Sequence, residues 1–298
     1  MNAAALSPDQ VAGLGRLDLV ARLVVEGFLV GLHRSPYHGF SVEFAEYRQY
    51  IPGEPVTHMD WRVVAKTDRH YTKVFAEETN LRATLLVDCS ASMRFRSDDA
   101  ALSKLDYARL LAASLSYLLL RQNDAVGLEL FDRRPLASVP ARATRRHLFR
   151  LLAPLEKLPH GEGTDLAGML HRQAERLPRR GVSVLFSDLM TDPAQVSAGL
   201  KHFRHRGHEV IVFQILDPRE LDLDYRHDTR FEDLEHPGET VRLDPARIAA
   251  DYRRRVAAWR ETLRRELRGQ RVDLVELTTD QPFDRALLAY LLKRRRLG

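Results

Sequence analysis

From Leu81 onward, short apolar runs alternate with longer segments in which apolar residues recur every three or four positions. These are the periods of a buried strand and an amphipathic helix. The runs predict strands at Leu81 to Val87, Ala125 to Phe131, Val182 to Phe186, Glu209 to Ile215 and Val272 to Leu277, with a short edge strand near Leu136 to Val139. Nearly continuous apolar strands that alternate with helices read as a parallel sheet covered on both faces. The expected fold class is therefore α/β, a doubly wound and mostly parallel sheet.

The helices carry their own start and stop signals. Ser103, with Asp106 three residues on, caps a helix running to Gln122 before the Asn123-Asp124 turn, and Leu105, Ala108, Leu111, Leu115 and Leu118 form its buried stripe. Asp192-Pro193 opens a second helix, with Val196, Leu200 and Phe203 inward and Gly207 at its end. Asp244-Pro245 opens a third, whose Ile248, Tyr252, Val256, Trp259, Leu263 and Leu267 share one face, and a last helix begins near Phe283. Between Arg230 and Leu243 the pattern changes to two short strands around Pro237-Gly238, a β-hairpin inserted before the third helix. Residues 1–80 break the rhythm, with a helix near Leu17 to Leu32, a Gly/Pro-punctuated stretch and an alternating strand from Tyr71 to Thr79. The expected division is a small N-terminal subdomain over 1–80 and the α/β domain over 81–298.

The 298 residues, 44% hydrophobic and 29% charged, suffice for a sizeable core. A single cysteine, Cys89, excludes an intramolecular disulfide and favours a reducing compartment. The N-terminus has no basic segment leading into an apolar stretch, and the longest apolar stretch, Leu110 to Leu120, is about half of what a spanning helix needs. The expected location is the cytoplasm. The net charge of +5 comes with Arg clusters at Arg253-Arg254-Arg255, Arg264-Arg265 and Arg294-Arg295-Arg296. Charge alone permits contact with an anionic membrane or nucleic acid, but no aromatic residues interleave as a stacking platform, so the clusters read as solvated helix faces and no specific nucleic-acid site is expected.

Chemistry concentrates at the end of the first α/β strand, where Asp88-Cys89-Ser90-Ala91-Ser92 places a carboxylate and two hydroxyls in one loop. All-oxygen donors suit a hard divalent cation, Mg²⁺ first, with Mn²⁺ or Ca²⁺ as alternatives. Doubly wound sheets bind ligands in the crevice at the carboxyl ends of their strands. Two further loops should converge there, Gly161-Glu162-Gly163-Thr164-Asp165 and Ser187-Asp188. A phosphatase-like hydrolase using Asp88 as nucleophile is an enzyme alternative, but Ser90 stands where a general-acid carboxylate is needed. Cys89 with His160 or His171 as base is another, with no motif linking them.

At these loops the sequence resembles the von Willebrand factor A fold and its metal-ion-dependent adhesion site, with its Asp-x-Ser-x-Ser pattern, a later threonine and an aspartate after the fourth strand. The resemblance implies Asp88, Ser90, Ser92, Thr164 and Asp188 as the five ligand positions, with the last coordination position filled by an acidic residue of a partner protein. A second resemblance covers Glu43 to Glu54, Asp60-Trp61-Arg62 and Lys73 to Glu78, which is similar to the bacterial family called domain of unknown function 58. Glu54 stands where that family usually has Asp, and Ala65-Lys66 replaces a common Ala-Arg. That resemblance implies a non-catalytic module working with a MoxR-type AAA+ ATPase in assembling or activating a client protein. No Gly-x-x-x-x-Gly-Lys-[Ser/Thr] occurs in the chain, so any ATPase would be the partner. Arg48, Asp60 and Arg69 in this region read first as a structural ion-pair network and second as a partner surface.

Overall fold

The computed structural model describes residues 6–33, 46–49, 71–74, 81–158, 165–178, 180–225, 227–236 and 238–295. Two helices come first, α1 (Pro8–Ala12) and α2 (Leu17–His33), followed by the antiparallel pair β1 (Glu46–Gln49) and β2 (Tyr71–Val74). The α/β body then runs β3 (Arg82–Asp88), α3 (Lys104–Arg121), β4 (Ala125–Phe131), β5 (Pro135–Arg142), α4 (His147–Glu156), α5 (Leu166–Arg176), β6 (Gly181–Ser187), α6 (Pro193–His205) and β7 (His208–Leu216). It continues through α7 (Pro218–Asp222), the hairpin β8 (Thr229–Glu232) and β9 (Thr240–Leu243), α8 (Pro245–Gly269), β10 (Asp273–Thr278) and α9 (Asp284–Arg295).

Six strands form one sheet in the order β10-β7-β6-β3-β4-β5, parallel throughout except for the antiparallel edge strand β5. The chain starts the sheet at its centre with β3, adds β4 and β5 on one side, then returns to add β6, β7 and β10 on the other. That reversal is the doubly wound arrangement expected from the apolar runs, and it leaves a crevice at the carboxyl ends of β3 and β6. The central strands are apolar because both their faces are covered: Leu85 and Val87 lie in one hydrophobic cluster with α3, while Leu86 lies in the other with α5 and α6. Full burial of each such side chain contributes roughly 1.5–3 kcal/mol.

Caps and stops fall where local chemistry places them. Ser103 caps α3 by accepting from Asp106 N, and Asp192 and Asp244 cap α6 and α8 from just before their prolines. Gly207 ends α6 with φ +81°, and Asn123 follows α3 with φ 60°, left-handed conformations that glycine and asparagine tolerate best. The long α8 departs from its expected buried face. Leu263 and Leu267 are buried, but Ile248 is 38% exposed. Helix α4, which the apolar pattern did not announce, packs Leu151, Leu152 and Leu155 inward despite Pro154 in its last turn.

The N-terminal helices do not stand apart from the body. Val20, Ala21, Val24, Val25 and Phe28 of α2 are buried in the same cluster as Leu111, Leu115 and Leu118 of α3. Val11, Leu17 and the buried face of α2 up to Leu29 therefore share the core of the α/β body, while the boundary expected at residue 80 lies outside the described residues. So do most of the second sequence motif, Asp60 and Arg69 of the expected ion-pair network and the side chain of Arg48.

Candidate metal centre

Asp88 is the last residue of β3 and is buried at the crevice. Its Oδ1 accepts from Ser90 N at 2.9 Å, and its Oδ2 accepts from the Ser187 hydroxyl, at the end of the adjoining β6, at 2.7 Å. The first bond folds the loop back on its own aspartate, an Asx turn that brings the hydroxyls of Ser90 and Ser92 to 3.2 Å from each other. Cys89 N donates to Phe131 O at 2.7 Å and ties the loop to the end of β4. Ser97 N and the Ser97 hydroxyl both donate to Asp217 Oδ2, at 2.9 and 3.0 Å, and clamp the far end of the loop to the cap of α7.

Asp188 follows β6 directly and is buried beside Asp88. Its backbone carbonyl accepts from Gln214 Nε2 at 3.1 Å, and its Oδ1 accepts from Met190 N at 3.1 Å. Between them Leu189 sits at φ 57° with its side chain fully buried, a left-handed conformation that costs a branched residue about 1 kcal/mol or more. Trp259 Nε1 of α8 donates to Thr191 O at 3.1 Å and holds this strained turn from outside.

A buried lysine completes this half of the site. Lys104, at the start of α3, has no exposed surface, and its Nζ lies 2.7 Å from Asp188 Oδ2 and 2.5 Å from Glu220 Oε1. Burial pulls its pKa down, but the charges of Asp188 and Glu220 outweigh that and hold it above the usual lysine value. Among the described residues Asp88 has no such ion-pair partner and is held by a hydroxyl and an amide. Burial, with the Asp188 charge second, pushes its carboxyl up to about 6.

Four of the five expected ligand residues, Asp88, Ser90, Ser92 and Asp188, therefore meet at two adjoining strand ends, and Thr164 lies outside the described residues. The donors fit a hard divalent cation: two hydroxyls converge beside a buried carboxylate that no ion pair among the described residues neutralises. Among the described residues no three His, Cys, Asp or Glu side chains converge as a metal cluster, so a cation here would rely on hydroxyl oxygens.

Several residues of the centre escaped sequence reasoning. Lys104 carried one signal, a charged residue directly beside Leu105 at the start of an otherwise apolar face. Ser187 adjoins a predicted ligand. Glu220 belongs to a capping box with Asp217, whose N donates to Glu220 Oε2 at 2.8 Å. Glu235 reaches the site from the hairpin and accepts from Ser92 N at 2.9 Å, a contact for which the sequence held no signal.

Cys89 is buried, and burial, with the Asp88 charge, pushes its thiol to about 12, the reverse of what a thiolate nucleophile requires. Of its two suggested bases, His160 lies outside the described residues, and His171 pairs instead with His202 at 3.2 Å. Several arginines of α8 are engaged in ion pairs, Arg260 and Arg264 with Glu276 and Arg254 and Arg255 with Asp251, each at 2.7 or 2.8 Å. Among the described residues no helix is long and apolar enough to cross a membrane.

The sheet order and the antiparallel edge strand agree with the von Willebrand factor A-like fold that the sequence resembles. Similar solved structures include BatB from Bacteroides thetaiotaomicron, 16% identical with a TM-score of 0.46, covering 73% of this chain and 100% of that one. The SpRpn10 VWA domain is 12% identical with a TM-score of 0.39, covering 74% of this chain and 97% of that one. At these values the fold assignment rests on the topology itself. Curated relatives include the uncharacterized protein Rv1480 of Mycobacterium tuberculosis (strain ATCC 25618 / H37Rv), 32% identical over 297 residues, which are 97% of this chain and 91% of that protein. The uncharacterized protein MAV169 of Mycobacterium avium is 30% identical over 166 residues, 54% of this chain and 96% of that protein. The family described as protein of unknown function DUF58 matches residues 46–262, and the chain belongs to that family.

Proposed function

We propose that the protein is a metal-dependent protein-interaction module rather than an enzyme, and that it acts with a MoxR-type AAA+ ATPase on a client protein. The observation that carries the reading is the convergence of the Asp88 carboxylate with the Ser90 and Ser92 hydroxyls at the crevice, with Asp188 beside them. Asp88, Ser90, Ser92 and Asp188 would hold the cation, Mg²⁺ before Mn²⁺ or Ca²⁺. When bound, it supplies an electron-poor position that attracts a carboxylate. Uncharged hydroxyls leave that attraction largely unspent, and Lys104, by neutralising Asp188, leaves it stronger still.

Two features favour binding over catalysis. Ser90 occupies the position where a phosphatase-like mechanism needs a second carboxylate, and the Cys89 thiol is buried. Met190, in the loop that follows Asp188, is 42% exposed, an apolar contact point suited to a protein surface.

Calorimetric titration of chelator-stripped protein with Mg²⁺ and Mn²⁺ tests the reading, with the Ser90→Ala/Ser92→Ala double variant as control. Saturable binding in the wild type that disappears in the double variant is the expected result, together with capture of the ATPase in Mg²⁺ but not in chelator. Equal metal binding by both proteins would place the cation elsewhere and sink the reading.

A further inference from the structure

The hairpin that interrupts the α/β rhythm ends at the metal centre. Its tip is organised by Asp233, whose Oδ1 accepts from Glu235 N at 2.7 Å and His236 N at 3.1 Å, while Asp233 N donates to Glu239 O at 2.9 Å. These bonds present Glu235 to the sheet, where its Oε1 accepts from Ser92 N at 2.9 Å across 143 residues of sequence. Among the described residues, the Ser92 amide is the group that holds this carboxylate. Ser92 is also one of the two residues whose hydroxyls form the donor pair, so an acidic side chain of the same chain lies next to that pair.

The arm that carries Glu235 is lightly packed. Val241 is 59% exposed and Leu234 is 42% exposed. The hairpin leans on the body through an edge contact of Phe231 with Tyr225 at 5.3 Å, and Tyr225 lies under the Arg219 guanidinium at 5.0 Å. An exposed two-stranded arm with few buried contacts opens at low cost.

We propose that Glu235 is a tethered internal ligand of the cation site, filling in cis the position that a partner's acidic residue takes, so that a partner binds by displacing the hairpin tip. The inference rests on the metal-site reading above and adds its regulation. A capping role alone would also place a carboxylate on Ser92 N. Glu235→Gln separates the two, because the glutamine amide oxygen still accepts from Ser92 N but carries no charge to a cation.

The test uses the full chain and Mn²⁺ as probe, with affinity measured by calorimetry and metal-bound water by water-proton relaxation. Glu235→Gln should bind Mn²⁺ roughly tenfold more weakly than wild type. It should also give a larger relaxation enhancement per bound ion, since water takes the position the carboxylate vacates. Added acetate should reduce that enhancement more in Glu235→Gln than in the wild type. Asp233→Ala, which frees the tip without touching the carboxylate, should move both readouts in the same direction by less. Unchanged or tighter Mn²⁺ binding with unchanged relaxation in Glu235→Gln would overturn the internal ligand and leave the metal site standing. Failure of the wild type to bind Mn²⁺ at all would overturn both.

Discussion

Asp88 and Asp188 end adjacent strands of one sheet and are both buried, yet their surroundings are opposite. Asp188 is neutralised by the ammonium of Lys104, which it shares with Glu220. Asp88 is held by an amide and a hydroxyl, and burial with the neighbouring Asp188 charge lifts its carboxyl to about 6. Among the described residues, one half of the site carries a built-in cation and the other half lacks one. The one lysine pairs with Asp188 and Glu220 and leaves the Asp88 carboxylate, beside the two serine hydroxyls, to the amide and hydroxyl donors.

The largest effect should come from removing the built-in cation. Lys104→Met leaves the buried Asp188 and the part-buried Glu220 without their cation, and breaking such a pair from one side costs about 3–5 kcal/mol. Chemical denaturation should show a loss of that size, and pairing the change with Glu220→Gln should recover part of it. A near-neutral Lys104→Met would mean that the two carboxylates are hydrated enough to do without the lysine, and the contrast between the two halves would collapse.

Removing the uncompensated charge should do the opposite. The folded-state pKa of Asp88, about 6, lies above the ordinary 3.8, so its ionised form disfavours the fold. That cost appears as pH rises from about 4 through 6, persists above, and is absent in acid, where the carboxyl is protonated in both states. Asp88→Asn should therefore be more stable than wild type above pH 6 in chelator, by up to about 3 kcal/mol for a displacement of that size. The advantage should fade as pH falls toward 4, and Mg²⁺ should stabilise the wild type alone. Thermal melts of the two proteins across pH would show this as converging curves. Parallel curves would mean that the Asp88 charge is neutralised by something other than a metal.

How much of this was legible in the sequence follows from the range of the forces involved. The sheet was legible because both faces of β3, β4, β6 and β7 are buried, so each strand announces itself as an apolar run, and serine, proline and glycine mark the helix ends through strictly local bonds. That the loops carrying Asp88, Ser90, Ser92 and Asp188 come together was legible for the same reason: they follow such strands, and a doubly wound topology brings strand ends together. Lys104 and Glu220 were not, because their pairing spans 116 residues and depends on where α7 docks. Glu235 was hidden further, since the hairpin pattern predicts a turn but not the direction in which its tip points. The N-terminal helix was recognised, but its apolar face did not reveal whether it closes on a subdomain of its own or on α3.

The smallest effect concerns the turn that carries Asp188. Trp259 reaches it from α8 through one hydrogen bond to Thr191 O, next to the left-handed Leu189. Trp259→Phe keeps an aromatic ring in place and removes the donor, which should cost about 1 kcal/mol in denaturant. The consequence for metal affinity divides the two ways in which Asp188 can be positioned. If the buried Lys104 ammonium fixes the carboxylate, as its 2.7 Å contact implies, Mg²⁺ affinity should stay the same despite the lost stability. A fall in affinity that tracks the loss of stability would assign the positioning to the strained turn instead, and would reduce Lys104 to a counter-charge that does not orient its partner.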